Sequence, residues 1–149
     1  MTDFKRSVLM SRVRQKDTGP ELVLRKYLHA AGLRYVLHNR SLPGTPDLIF
    51  PRFKAVIFVH GCFWHAHGCR RATIPASRQD FWTSKFLRNK FRDVEDINSL
   101  QNLGWRVCIV WECALKGKSK VNPDLLVSDI VGWLKQDVRF LQVEGRRSH

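Results

Sequence analysis

The sequence predicts an α/β fold in which a mixed β-sheet carries helices on its faces. Two observations carry this prediction. Short runs rich in valine, isoleucine, leucine and aromatics are separated by turn formers up to His60, and two helix-period segments bracket a nearly continuous apolar run from Arg106 to Trp111. A strand covered on both faces reads as such a run, whereas a half-exposed strand alternates. The 149 residues are 44% hydrophobic and 11% aromatic, which suffices for one sizeable core and excludes a disordered chain or a disulfide-stapled miniature.

The elements follow in order. Residues 1–17 form a basic arm carrying Lys5, Arg6, Arg12, Arg14 and Lys16. Thr18-Gly19-Pro20-Glu21 fits a capping box, and Leu22, Leu24, Tyr27 and Leu28 give the first helix its apolar positions as far as Ala31, with Gly32 ending it. Arg34 to His38, Asp47 to Phe50 and Ala55 to His60 read as three strands of a meander, punctuated by Pro43-Gly44 and Pro51. From Thr83 to Leu103 the residues Leu87, Phe91, Val94, Ile97 and Leu100 recur every three or four positions, the mark of a long amphipathic helix closed by Gly104. Arg106 to Trp111 is the buried strand, and Pro123 opens a last helix to about Leu134. The order α-β-β-β-α-β-α contains no repeat, low-complexity tract or dividing linker, so residues 1–149 read as one domain with a C-terminal tail from 138 to 149.

Lysine and arginine number 26 against 13 acidic residues, a net charge of +13. With a sequence pI near 10.3, the excess calls for a polyanionic partner, nucleic acid above all. Apolar runs such as Ala55 to Val59 are far too short to span a bilayer, and the charged N-terminus lacks the apolar core of a signal peptide. A cytoplasmic location is expected, where cysteines are reduced and bind metal or lie buried as thiols.

The densest chemistry lies in His60-Gly61-Cys62-Phe63-Trp64-His65-Ala66-His67-Gly68-Cys69. Tetrahedral zinc takes thiolate and imidazole ligands, and Cys62, His67 and Cys69 on one short loop supply three. Of the two remaining cysteines, Cys108 falls inside the apolar strand and Cys113 just past its end, where a side chain can turn to the loop. Cys113 is the expected fourth ligand of a structural zinc, and Cys108 a buried thiol. Four protein ligands leave no open position, so His60 and His65 remain as candidates for acid-base work near neutral pH.

Leu42-Pro43-Gly44-Thr45-Pro46-Asp47 sets a carboxylate at the mouth of a hydrophobic strand. Many metal-dependent nucleases pair such a Pro-Asp strand with a second strand bearing an acid, one spacer and a lysine. The corresponding triplet here is Phe58-Val59-His60, without the acid or the lysine, which leaves magnesium short of protein ligands.

Taken together, the loop, the strand acid and the histidines closely resemble the very-short-patch mismatch repair endonucleases. The matching blocks are Lys16-Asp17-Thr18 with Pro20-Glu21, Ser41 to Asp47, Val56 to His65, Pro75 to Trp82, Gly104-Trp105-Arg106, and Val110 to Leu115. They run in family order from about Ser11 to Gly117, and Phe58-Val59-His60-Gly61-Cys62-Phe63-Trp64-His65 is the most specific of them. The resemblance implies a restriction-endonuclease-like fold with a structural zinc site. It also implies a magnesium-dependent enzyme that recognises a T·G mispair left by deamination of 5-methylcytosine and hydrolyses the phosphodiester 5′ of the mispaired thymine.

By motif position, the resemblance makes Asp47 the principal magnesium ligand beside the backbone carbonyl of Val59, where the family often has threonine. His65 is implied to activate the attacking water and His60 to act near the scissile phosphate. Cys62, His67, Cys69 and Cys113 match the family's zinc ligands. Glu21 and Asp93 match positions around the active site and its water-bound metals. The capping box accounts for Glu21 in another way, and a solvated helix surface for Asp93, although Lys85, Asn89 and Asp93 share one helical face.

For mismatch recognition, the resemblance implies that Phe63, Trp64 and Trp82 wedge between base pairs while Met10 approaches from the other groove. Unstacking costs least beside a mispair, so a wedge is selective for one. Arg12, Arg14 and Arg78, with Lys5, Arg6, Arg70 and Arg71, would clamp phosphates. The implied partners are double-stranded DNA with a T·G mismatch and, functionally, a cytosine-5 DNA methyltransferase and mismatch repair proteins; a monomer suffices to nick one strand. Two other readings stand beside it: a same-fold nuclease that cuts a specific matched sequence on both strands, and a catalytically silent zinc-stabilised DNA-binding module.

Overall fold

A computed structural model describes residues 18–62 and 79–146. Helix α1 (Gly19–Ala30) opens with Thr18 as its cap, whose hydroxyl accepts the Glu21 N–H at 3.3 Å, with Pro20 in the first turn. Three antiparallel strands follow: β1 (Val36–Leu37), β2 (Leu48–Phe50) and β3 (Ala55–His60). Helix α2 (Gln79–Asn102) leads to β4 (Arg106–Trp111), which pairs parallel to β3 with Val56 opposite Val107 and His60 opposite Trp111. A one-turn helix α3 (Glu112–Leu115), helix α4 (Pro123–Leu134) and strand β5 (Phe140–Val143) complete the order. The sheet runs β1-β2-β3-β4-β5, antiparallel in its first three strands and parallel in its last three. The two parallel pairs are joined by long helical crossovers, as parallel pairing requires.

Alternation along the strands divides the core into two layers. Leu48, Phe50, Ala55, Ile57, Cys108 and Val110 face one way, against Leu24 and Leu28 of α1 and Leu126, Ile130 and Trp133 of α4. Ile49, Val56, Phe58, Val107, Ile109 and Trp111 face the other way, with Leu100 and Ile97 of α2 and with Cys62 and Cys113. Arg106 ties α4 to the sheet. Its guanidinium donates to the carbonyls of Trp133 and Leu134 at the helix C-terminus, both at 2.8 Å, and to that of Phe53 at 3.0 Å.

The structure corrects four of the expectations. The first strand is only two residues long, Val36–Leu37 rather than Arg34 to His38. The long helix begins at Gln79, not Thr83, which brings Trp82 into its first turns. The stripe read as its apolar face is largely solvent-facing: Leu87 is 62% exposed, Phe91 67% and Val94 57%, and only Ile97 and Leu100 pack on the sheet. The buried side of its N-terminal half is instead Phe86 and Asn89, about half a turn away, flanked by the half-buried Lys85 and Asp93. Polar residues on that side hide it from a hydrophobicity reading. Finally, residues 138–149 were expected as a tail, yet Phe140–Val143 is the edge strand β5; four residues are too few to show a period, and pairing with β4 makes them a strand.

Candidate active site and metal ligands

The hairpin register builds the site. Because Leu37 pairs with Leu48, the next residues out, His38 and Asp47, also face each other, and the His38 N–H donates to the Asp47 carbonyl at 3.3 Å. The Asp47 N–H reaches across to Ile57, while its side chain turns along β3 so that Oδ2 accepts the Val59 N–H at 2.7 Å. One carboxylate oxygen is thus pinned to the sheet. The backbone leading in is constrained: Gly44 and Thr45 take positive φ of 74° and 47°, and a side chain on Gly44 would meet Asp96 of α2. His38 also has a positive φ, 47°, rare for a residue other than glycine and concentrated at functional sites.

Glu21 enters from the opposite direction. The Thr18 cap uses only its backbone N–H, and its side chain, 2% exposed, hydrogen bonds to Arg25 and lies 2.9 Å from His38 Nε2. The capping-box explanation therefore covers half of this residue. Ligand atoms of Glu21, His38 and Asp47 all lie within 4.8 Å of one another, with His38 Nε2 3.9 Å from Asp47 Oδ1. Burial holds the Asp47 carboxyl well above its ordinary pKa; the Val59 amide pulls it down, Glu21 pushes it up and Arg25 pulls it down. The acid missing from Phe58-Val59-His60 is thus replaced in space by one from α1. Two carboxylates sharing a desolvated site is an arrangement that a divalent cation relieves, so the residues present fit magnesium.

Of the other expected residues, Val59 lies at this edge through its backbone, and His60 is buried at the end of β3, its ring edge-on to Trp111 at 5.2 Å. Asp93 sits half-buried on the sheet-facing side of α2 with Asn89. Trp82 is half-buried and stacked on Phe86 at 5.9 Å. Met10, Arg12, Arg14, Phe63, Trp64, His65, His67, Cys69 and Arg78 lie outside the described residues. His38 escaped the sequence reading altogether, because only the hairpin register places it beside Asp47 and no spacing rule marks it.

The two described thiols of the expected zinc set, Cys62 and Cys113, share one face of the sheet, and Cys108 lies in the core on the other face. Burial pushes the Cys108 thiol up, as for an inert core residue. Cys113 occupies α3, and its Sγ accepts the Gly145 N–H at 3.2 Å. Backbone donors to sulfur suit a thiolate ligand. Cys62 is tied to the same helix by its N–H, 3.4 Å from Glu112 Oε1. This donor chemistry fits zinc at Cys62 and Cys113.

Comparison with known proteins identifies the chain's relatives. The sequence profile of the family described as DNA mismatch endonuclease Vsr matches residues 1–71. The chain is 40% identical to the DNA mismatch endonuclease Vsr of Escherichia coli over 144 residues, 97% of this chain and 92% of that protein. It is 50% identical over 111 residues to a type II nicking enzyme of Xanthomonas oryzae, covering 74% and 82% of the two chains. A further type II nicking enzyme, from Neisseria meningitidis, is 41% identical over 118 residues, 79% and 84% of the two.

Proposed function

We propose, from the premise that this chain belongs to the Vsr family and is a DNA endonuclease that hydrolyses phosphodiester bonds, that it nicks one strand of duplex DNA 5′ of a thymine mispaired with guanine. The observation that carries the reading is the convergence of Glu21 and Asp47 at the edge of the sheet, where the strand itself lacks the second acid. Asp47, with the backbone carbonyl of Val59, would hold magnesium, and Glu21 would act through water. When bound, magnesium supplies charge neutralisation at the phosphoryl oxygens. The chain's residues do the rest: the Val59 N–H keeps Asp47 in one orientation, Arg25 holds Glu21 in place, and His65 takes the proton of the attacking water. His60 acts near the scissile phosphate, and Asp93 orders water at the same site from α2.

Cys62, His67, Cys69 and Cys113 would hold the structural zinc, keeping Phe63 and Trp64 rigid for insertion beside the mispair, with Trp82 and Met10 as further wedges. Arg12, Arg14 and Arg78 would contact phosphates, consistent with the net charge of +13. The restriction-endonuclease-like arrangement, a monomeric state, a cytoplasmic location and a link to a cytosine-5 methyltransferase and mismatch repair proteins belong to the same reading. Among the described residues no helix is long and apolar enough to cross a membrane.

The test uses end-labelled duplexes that differ only by T·G against T·A, incubated with magnesium and mapped to the nucleotide. One nick 5′ of the mispaired thymine is expected. Cleavage of both strands in the matched duplex would replace the reading with a restriction-like nuclease, and selective binding without cleavage with a silent module.

A further inference from the structure

We infer that His38 is a positioning residue for the nicking reaction: its ring N–H holds the Glu21 carboxylate while its backbone N–H holds Asp47, so one residue of the hairpin sets how the two acids stand to each other. The inference rests on the magnesium site proposed above and names what fixes its geometry. His38 Nε2 lies 2.9 Å from Glu21 Oε2, and a carboxylate only accepts, so this nitrogen carries the hydrogen. The same oxygen accepts from Arg25, and Arg25 Nη2 and His38 Nε2 stand 3.4 Å apart as two donors converging on one acceptor. On the other side, the His38 backbone N–H donates to the Asp47 carbonyl at 3.3 Å.

The two donors to Glu21 do different things. Arg25 stands four residues further along α1, so its bond travels with the helix and orients the carboxylate within it. His38 follows β1 and is bonded to Asp47, so its bond fixes Glu21 relative to the sheet. The Tyr35 hydroxyl donates to the Arg25 carbonyl at 3.1 Å, which pins the same segment to α1 about one turn further on. Beyond that pin His38 adopts its φ of 47°, a strained conformation that persists only where the surroundings enforce it. At 3.9 Å from Asp47 Oδ1 the ring is too distant for a hydrogen bond, so its contact with Glu21 leaves that oxygen to the cation. Partners of this kind, bonded to ligands rather than to the metal, orient the ligands and tune affinity.

The experiment compares His38→Leu, which removes the donor, with His38→Gln, whose amide N–H takes the place of the ring N–H. In single-turnover nicking of the T·G duplex, His38→Leu should lower the maximal rate about tenfold or more and leave duplex affinity within about twofold, and His38→Gln should recover the rate to within about threefold. In a Glu21→Ala background His38→Leu should cause no further loss, because it acts through Glu21. A second readout uses no DNA: magnesium is titrated into the zinc-containing protein and followed by nuclear magnetic resonance at the Val59 amide, which reports on Asp47. The midpoint should rise about fivefold in His38→Leu and return in His38→Gln. His38→Ala replaces the leucine variant should circular dichroism show it unfolded. A glutamine variant as impaired as the leucine one, a further loss in the Glu21→Ala background, or one magnesium midpoint for all three proteins would overturn the inference. A wild type that does not nick the T·G duplex removes the proposed substrate instead, and the magnesium titration then decides the role of His38 by itself.

Discussion

The amide of Val59 on β3 donates to Asp47 Oδ2 at 2.7 Å, across the mouth of the antiparallel β2–β3 pair. This bond orients a half-buried carboxylate without neutralising it, and its other oxygen lies 3.9 Å from the His38 ring. The site is held by strand ends rather than by loops, which limits how far its oxygens can drift when a phosphate arrives.

Replacing Asp47 by asparagine preserves the acceptor for Val59 and removes the charge. Nicking should fall by about a thousandfold or more, since stabilisation of several kcal/mol at the phosphoryl group is lost. Mismatch binding should persist in a gel-shift assay. Loss of binding instead would make Asp47 a structural residue.

The same substitution has a signed effect on stability. Burial raises the Asp47 pKa, so the folded state holds the proton more tightly than the unfolded chain, whose value is near 3.8. The stabilising contribution is full below that value and is lost as pH rises through the raised one. In magnesium-free buffer this carboxyl therefore contributes less stability at pH 7 than near pH 3. Asp47→Asn should raise the Tm by about 2–6 °C at pH 7 and leave it nearly unchanged near pH 3. Melting curves at the two pH values measure the difference, and an equal shift at both contradicts the account.

Glu21 is almost wholly buried and paired with Arg25. Glu21→Ala removes this buried ion pair, which should cost about 3 kcal/mol in urea unfolding as well as lowering activity. A residue serving only as a helix cap would cost about 1 kcal/mol or less, because the Thr18 hydroxyl still accepts a backbone N–H.

On α2 the two candidate faces make opposite predictions. Leu100→Ala, fully buried, should cost about 3 kcal/mol, whereas Phe91→Ala should change stability by less than about 0.5 kcal/mol. Equal losses in chemical denaturation would restore the stripe through Phe91 as the packing face.

For the proposed zinc, Cys113→Ser should release metal, measurable by atomic absorption, while Cys108→Ser, on the other side of the sheet, should retain it. Gly145→Val tests the brace, because a Cβ there would come within 2.5 Å of the Cys113 carbonyl oxygen. Displacing that segment removes the N–H donor to Sγ and should lower zinc affinity about tenfold. Unchanged affinity would assign the contact to strand docking alone.

The α/β class, the meander, the helix cap at Thr18, the helix start at Pro123 and the buried run of β4 were legible from residue type and spacing, because helix starts, turns and doubly covered strands are decided within a few residues. So was the family, whose motifs are local. Tertiary structure alone decided which face of α2 is buried, because the sheet-facing side carries Asn89, Lys85 and Asp93 and its pattern reads as polar. It alone made Phe140–Val143 a strand, since a four-residue edge exists only by pairing with β4. It also brought Glu21 and His38 to Asp47 from separate elements, one through the packing of α1 and the other through a hairpin register that linear spacing does not encode.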